Sequence, residues 1–280
     1  MVKRRSPAAA IALVAVLLLA LTAVLVFIVF GFRFKSDESS KFIGKSENGQ
    51  PVEGTINYSD GSSATLDYYN HTITYSNGDV YVGDISGLMR NGNGKMTFAA
   101  TGDIYEGDFK EDKLTGKGII TYANGDKYDG ELLDSQKNGH GKFTFVGGNT
   151  YEGGFENDAK SGYGIFIWAD GSRYEGYFRD DVKCGYGSMT FVNGDQYEGN
   201  FYDDMRSGTG LYTWKDGTSY SGTFRKNLMD TRLVDTEGNF VVDENGSYKH
   251  GEMAYYTTIT ETGKKTYTGY FQEGKIVPVK

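Results

Sequence analysis

Beyond Lys35 the apolar residues come in short alternating runs broken by glycine, and none recurs at the three-and-four spacing of a helix. Alternation puts residues i, i+2 and i+4 on one face of a strand. In the stretch from Tyr151 to Trp168, Tyr151, Gly153 and Phe155 therefore share a face, with Gly164, Phe166 and Trp168 on that face too. The other face carries Glu152, Tyr163 and Ile167, a more mixed set. Glycine beneath large rings lets a neighbouring ring lie flat over the backbone, which offsets its poor strand propensity. A glycine, usually in Asn-Gly or Asp-Gly, stands three residues before the tyrosine and signals a hairpin turn. The pattern predicts two short antiparallel strands, one through Tyr151-Gly153-Phe155 and one through Gly162-Gly164-Phe166-Trp168.

This unit recurs. Its tyrosines are Tyr81, Tyr105, Tyr128, Tyr151, Tyr174, Tyr197 and Tyr220, the first step being 24 residues and the next five 23. Eleven residues after each of the first six begins a Gly-x-Gly (Gly92, Gly116, Gly139, Gly162, Gly185, Gly208), and seventeen after comes an aromatic (Phe98, Tyr122, Phe145, Trp168, Phe191, Trp214). Stacked units of this kind contact mainly their neighbours. At the ~4.8 Å spacing of paired strands each would advance about 9–10 Å, so seven predict a twisted ribbon roughly 65–70 Å long. The ends degrade. Residues 42–70 read as a worn capping repeat, 71–224 as the regular array, and 225–280 as altered repeats with a C-terminal cap. The due Gly-x-Gly is Thr231-Arg232-Leu233, and the motif returns at Tyr267-Thr268-Gly269-Tyr270-Phe271.

The N-terminal residues are a separate object. Lys3, Arg4 and Arg5 lie in a basic segment, 1–7, before an uncharged apolar run over 8–32. As a helix that run exceeds the ~30 Å hydrocarbon core, and it is longer than the ~7–15-residue apolar region of a cleaved signal. The expectation is one uncleaved transmembrane helix, followed by a juxtamembrane linker over 33–41. Three basic side chains precede it and Arg33 and Lys35 follow, which favours a cytoplasmic N-terminus and extracytoplasmic repeats.

Charge narrows the partners. The chain carries a formal −8, but residues 1–35 hold five basic and no acidic groups, leaving 24 basic against 37 acidic beyond them, a balance of −13. Such a domain repels nucleic-acid phosphates. With 40 glycines and 15% aromatic residues it does not read as disordered. A single cysteine, Cys184, excludes an intrachain disulfide.

Tyr-Glu-Gly-x-Phe, Gly-x-Gly-x-x-x-aromatic and Asp/Asn-Gly-x-x-Tyr at 23-residue steps resemble the MORN repeat, strongly over 71–224 and weakly over 42–70 and 225–274. The resemblance implies an all-β, elongated single-layer ribbon of antiparallel hairpins. It also implies scaffolding, dimerisation or attachment at membranes, with phospholipid binding in some members.

No catalytic constellation appears. Cys184 occupies a position held elsewhere by Asn91, Thr115, Asn138, Ser161 and Ser207, and His71, His140 and His250 are scattered. No helix follows any Gly-x-Gly, so none is a nucleotide loop. The expectation is a non-catalytic module without cofactor or metal. Two surfaces are candidates. The second residue of the pentapeptide makes a carboxylate row, Glu106, Asp129, Glu152, Glu175 and Glu198, either a solvated face or a site for a cation or basic partner. The aromatic face, Tyr128, Tyr151, Phe155, Trp168, Tyr174, Phe178, Tyr197, Phe201 and Trp214, either packs upon itself or stacks on a peptide or sugar. The partner is then an unknown protein or a second copy of the chain, with a wall glycan or a lipid as the alternatives.

Overall fold

The computed structural model describes residues 40–277. The expected membrane helix over 8–32 lies outside the described residues, within which no helix is long and apolar enough to cross a membrane. Among those residues the regular structure is all strand, and every strand pairing is antiparallel. The chain forms two compact units that part between Ala123 and Asn124.

The first unit is a meander. Its strands are β1 (Ser40–Glu47), β2 (Gln50–Tyr58), β3 (Ser63–Asp67), β4 (Thr72–Tyr75), β5 (Val80–Ser86), β6 (Met89–Thr97), β7 (Ile104–Lys110) and β8 (Lys113–Thr121). Each pairs with the next. Phe42, Ile56, Leu66, Ile73, Tyr81 and Tyr105 are fully buried. Phe42 plays the part of a repeat tyrosine: a Cβ on Gly44 or Gly54 would stand 2.8 Å from its Cζ.

The second unit continues the same logic through β9 (Lys127–Leu133), β10 (Gln136–Thr144), β11 (Thr150–Glu156), β12 (Ala159–Ile167), β13 (Arg173–Arg179), β14 (Val182–Thr190), β15 (Gln196–Tyr202), β16 (Met205–Thr213) and β17 (Ser219–Arg225). Each hairpin turns on two residues with positive φ, as at Asn157-Asp158 and Asp180-Asp181. The expected Asn-Gly and Asp-Gly turns join one hairpin to the next, as at Gly171, whose N–H donates to Trp168 C=O at 2.9 Å. The second strand starts at Ala159, before the Gly-x-Gly, because Asn and Asp tolerate the left-handed region that such a turn demands. The first glycine of each Gly-x-Gly then sits where the register slips. Between Gly153 and Phe155 the partner jumps from Gly164 to Lys160, and Gly162 takes φ +75° to make the bulge.

After Arg225 the array changes. β18 (Leu228–Met229) is two residues long, and β19 (Ala254–Thr260) pairs with β17 instead, followed by β20 (Gly263–Gln272) and β21 (Lys275–Val277). Residues 230–253 are an excursion with isolated bridges Arg232 to His250, Val234 to Phe240 and Val242 to Tyr248. A buried Arg232–Asp230 ion pair anchors it, with Glu273 also on the guanidinium at 3.1 Å. Thr231 Oγ1 joins it to β20, accepting from Phe271 N–H at 2.9 Å.

Candidate binding surface

The tyrosine row is the core. Tyr128, Tyr151, Tyr174, Tyr197 and Tyr220 are all 0% exposed in the second unit. The rings of Tyr128, Tyr151, Tyr174 and Tyr197 each cover a glycine pair facing across two strands, and Tyr220 covers Gly222 and Ala254. Gly153 opposes Gly164, and a Cβ added at Gly164 would lie 2.5 Å from both Cε2 and the hydroxyl oxygen of Tyr151. Each hydroxyl spans the bulge and donates to the carbonyl three residues on, as Tyr151 does to Gly154 at 2.9 Å and Tyr174 to Tyr177 at 3.1 Å. The phenylalanines bind the row together edge-on. Tyr151 meets Phe155 at 5.2 Å and Phe178 at 5.1 Å, and Tyr174 meets Phe178 at 5.2 Å and Phe201 at 5.0 Å. Edge-to-face contacts of this kind add about 0.5–1.5 kcal/mol each to area burial.

Of the nine aromatic candidates, then, Tyr128, Tyr151, Phe155, Tyr174, Phe178, Tyr197 and Phe201 are interior and not available to an external ligand. Trp168 and Trp214 are half-buried. They belong to a second, more open stripe on the same face. Phe143 and Phe145 lie 4.5 Å apart, Phe166 and Trp168 4.6 Å, and Tyr212 and Trp214 4.8 Å. Shallow cavities of about 180 Å³ and 190 Å³ open beside Phe145 and beside Trp214.

Sequence reasoning missed a row of cations threaded along this stripe. Nine residues after the tyrosine stand Lys137, Lys160, Lys183 and Arg206, each within 6 Å of its own repeat's tyrosine ring. Lys183 Nζ lies 5.3 Å from Trp168, and the Arg206 guanidinium 4.9 Å from Tyr212. Turn aspartates neutralise the lysines: Lys137 meets Asp158 at 3.1 Å, Lys160 meets Asp181 at 2.5 Å and Lys183 meets Asp204 at 3.6 Å. Burial opposes ionisation of Asp181, but the hydrogen bonds from Lys160 outweigh it and hold that carboxyl below its usual range. At Arg206 the turn residue is Asn227, which contributes its carbonyl at 2.9 Å and no charge. The signal was present in the sequence as a period-23 basic position.

The same aspartates couple successive hairpins. Asp181 N–H donates to Lys160 C=O at 3.1 Å, and Lys160 N–H donates to the Asp181 carboxylate at 3.0 Å. On the opposite edge, the residue two before each of Tyr128, Tyr151, Tyr174 and Tyr197 accepts from a backbone N–H twenty residues on. Asp126 does so from Val146, Asn149 from Ala169, Ser172 from Val192 and Asp195 from Lys215. Both edges thus satisfy donors that would otherwise face water.

The acidic candidates lie on the opposite face. Lys95 pairs with Glu106 at 2.7 Å and Lys142 with Glu152 at 3.6 Å. Tyr163 and Arg173 hold Glu175, and their hydrogen bonds keep its carboxyl below the usual range. Asp129 and Glu198 are exposed without an ion pair among the described residues. Cys184 is half-buried in β14. His71 takes φ +53° in a turn, His140 lies in β10, and His250 stacks on Tyr270 at 4.8 Å. The structure does not bring these groups together, and among the described residues no three metal-capable side chains cluster.

A family model of the MORN repeat matches residues 81–100, 105–127, 128–150, 151–173, 174–196 and 197–219. The chain is a MORN-repeat protein. Over 47 residues it is 43% identical to phosphatidylinositol 4-phosphate 5-kinase 1 of Oryza sativa subsp. japonica, a stretch that is 17% of this chain and 6% of the kinase. Among solved structures it resembles the TCP domain of SAS-4 of Drosophila melanogaster, in complex with a proline-rich motif of Ana2. That likeness has TM-score 0.36 and 18% identity, over 65% of this chain and 96% of the other. The TCP10 domain of Danio rerio CPAP with a STIL peptide gives TM-score 0.37 and 15% identity, over 73% and 98%.

Proposed function

We propose that this protein is a membrane-anchored, non-catalytic scaffold whose repeats bind a protein partner, or a second copy of the chain, through the half-open aromatic stripe. One observation carries the reading: Phe145, Trp168, Phe191 and Trp214 recur at the repeat spacing and remain half-buried, while the tyrosine row beneath is closed. Rings flanked by cations suit the apolar and acidic side chains of a polypeptide. Arg206, beside Tyr212 and Trp214 and without an ion-pair partner among the described residues, favours a segment that supplies a carboxylate. The uncharged run over 8–32 supports anchoring, and the basic excess before it supports a cytoplasmic N-terminus with the repeats outside.

A photo-crosslinker placed at Trp168 in the full chain, in its native cell, tests the binding reading. The expected product is a protein adduct or a dimer, absent when the crosslinker replaces Lys142 on the opposite face. Equal adducts at both positions would sink it. Retention on purified wall polysaccharide, lost in a Trp168→Ala, Trp214→Ala double variant, would move the assignment to glycan. Flotation with neutral or anionic vesicles after the first 35 residues are cut away would move it to lipid. Extraction of the intact chain by alkaline carbonate would remove the anchor. Repeats protected from protease added on the extracytoplasmic side would reverse the orientation.

A further inference from the structure

Along the face opposite the tyrosine core runs a second set of tyrosines. Tyr163 stands across from Tyr177, and Tyr186 across from Asn200. All three rings are open, at 51%, 50% and 58% exposure. In the following strands the corresponding positions are Asn200, Thr209 and Thr223, with Thr209 across from Thr223. These side chains are too small to continue the stripe. Where the rings stop, a cleft of about 340 Å³ opens. Gly199, Gly210 and Gly222, one from each of β15, β16 and β17, form its floor. Tyr186 and Tyr255 stand in its walls, and Tyr255 is reached because β19 pairs it with Ser221.

The cleft also holds Glu198 and Glu252. At Glu106 and Glu152 in the same row a neighbouring strand supplies a cation, Lys95 and Lys142. Glu198 stands instead between Ser188 and Leu211, neither of which carries charge. Among the described residues neither Glu198 nor Glu252 has an ion-pair partner. Exposed tyrosine faces attract cations, carboxylates strengthen their hydrogen bonds, and Thr209, Ser221 and Thr223 line the cleft with further hydroxyl acceptors. The −13 balance beyond residue 35 attracts a positive ligand from a distance.

We propose that this cleft receives a cationic side chain, lysine or arginine, projecting from a protein partner. It lies on the face away from the aromatic stripe and is independent of that site. Calorimetric titration of the full-length chain with capped tetra-arginine, tetra-lysine and tetra-glutamine peptides tests it. The two cationic peptides bind, the glutamine peptide does not, and rising salt weakens binding. Glu198→Gln with Glu252→Gln lowers affinity at least about tenfold, Tyr186→Ala lowers it about threefold, and Glu106→Gln, far along the row, changes it less than about twofold. Circular dichroism of each variant establishes that the fold is retained. The proposal is overturned if the cationic peptides do not bind, if the double variant binds as the parent does, or if Glu106→Gln costs as much, which would mean diffuse charge attraction. Binding of a neutral oligosaccharide, unaffected by the glutamine variants, would overturn it as well.

Discussion

Two rows of tyrosine run through the second unit and meet opposite fates. Tyr151, Tyr174 and Tyr197 are sealed, while Tyr163, Tyr177 and Tyr186, on the other face of the same strands, are half open or more. The residue type is the same, so hydrophobicity does not distinguish them. The difference lies in what is beneath the ring. A buried tyrosine lies on a cross-strand glycine pair and donates a hydrogen bond from its hydroxyl to a carbonyl across the bulge. The open row has no such seat. Tyr163 and Tyr177 touch each other edge-on at 5.5 Å, and Tyr163 spends its hydroxyl on Glu175. Stability thus resides in one row, and the other stands open at the surface.

The most severe way to break the comparison is alkali. Burial pushes the phenols of Tyr151 and Tyr197 up to about 12, from a usual 10.0. A folded-state value above the unfolded one means that their contribution is fully present below pH 10 and vanishes as pH climbs through about 12. Absorbance at 295 nm should show a late, cooperative wave coincident with loss of the strand signal. A late wave with the fold intact would refute the seating argument.

Removing one ring comes next. Tyr174→Ala should cost about 3–5 kcal/mol in a denaturant titration, most of it as local opening of the flanking hairpins in hydrogen exchange. Filling the seat is milder. A Cβ on Gly187 would stand 2.6 Å from Tyr174 Cε2, and Gly187→Ala should cost about 1–3 kcal/mol. An alanine tolerated there without loss would mean that the ring moves freely. Asp181→Ala leaves Lys160 N–H without its acceptor and Lys160 Nζ without its counter-ion, an expected loss of about 1–2 kcal/mol, visible as faster exchange at Lys160. Smallest of all, Tyr177→Ala should change stability by less than about 0.5 kcal/mol. A loss comparable to that of Tyr174→Ala would erase the distinction between the rows.

Much of this is legible in the residues. The alternation of Tyr151, Gly153 and Phe155 marks the face, and the 23-residue step marks the repeat, because both are local. The position of the tight turn is less so. The Asp170-Gly171 turn stands where its residues announce it, between β12 and β13, but the turn between β11 and β12 is made by Asn157-Asp158 without a glycine. Pairing across repeats is harder still. That Glu152 is neutralised and Glu198 is not depends on which residue the register brings alongside, Lys142 in one case and Ser188 in the other. The detour after Arg225 hides the partner of β17 behind residues 230–253, so nothing near Ser221 in the sequence announces Tyr255.

The edge bonds from Asp126 to Val146 and from Asn149 to Ala169 have a consequence for how such a chain can change length. Acceptor and donor always stand twenty residues apart, and both shift by the same step from one repeat to the next. Excising any contiguous 23 residues between Lys127 and Lys215, wherever the excision starts, rejoins an acceptor to a donor of the same kind at the same distance. The array therefore has no privileged seam, and recombination that is blind to where a hairpin begins would still yield a chain with every turn closed.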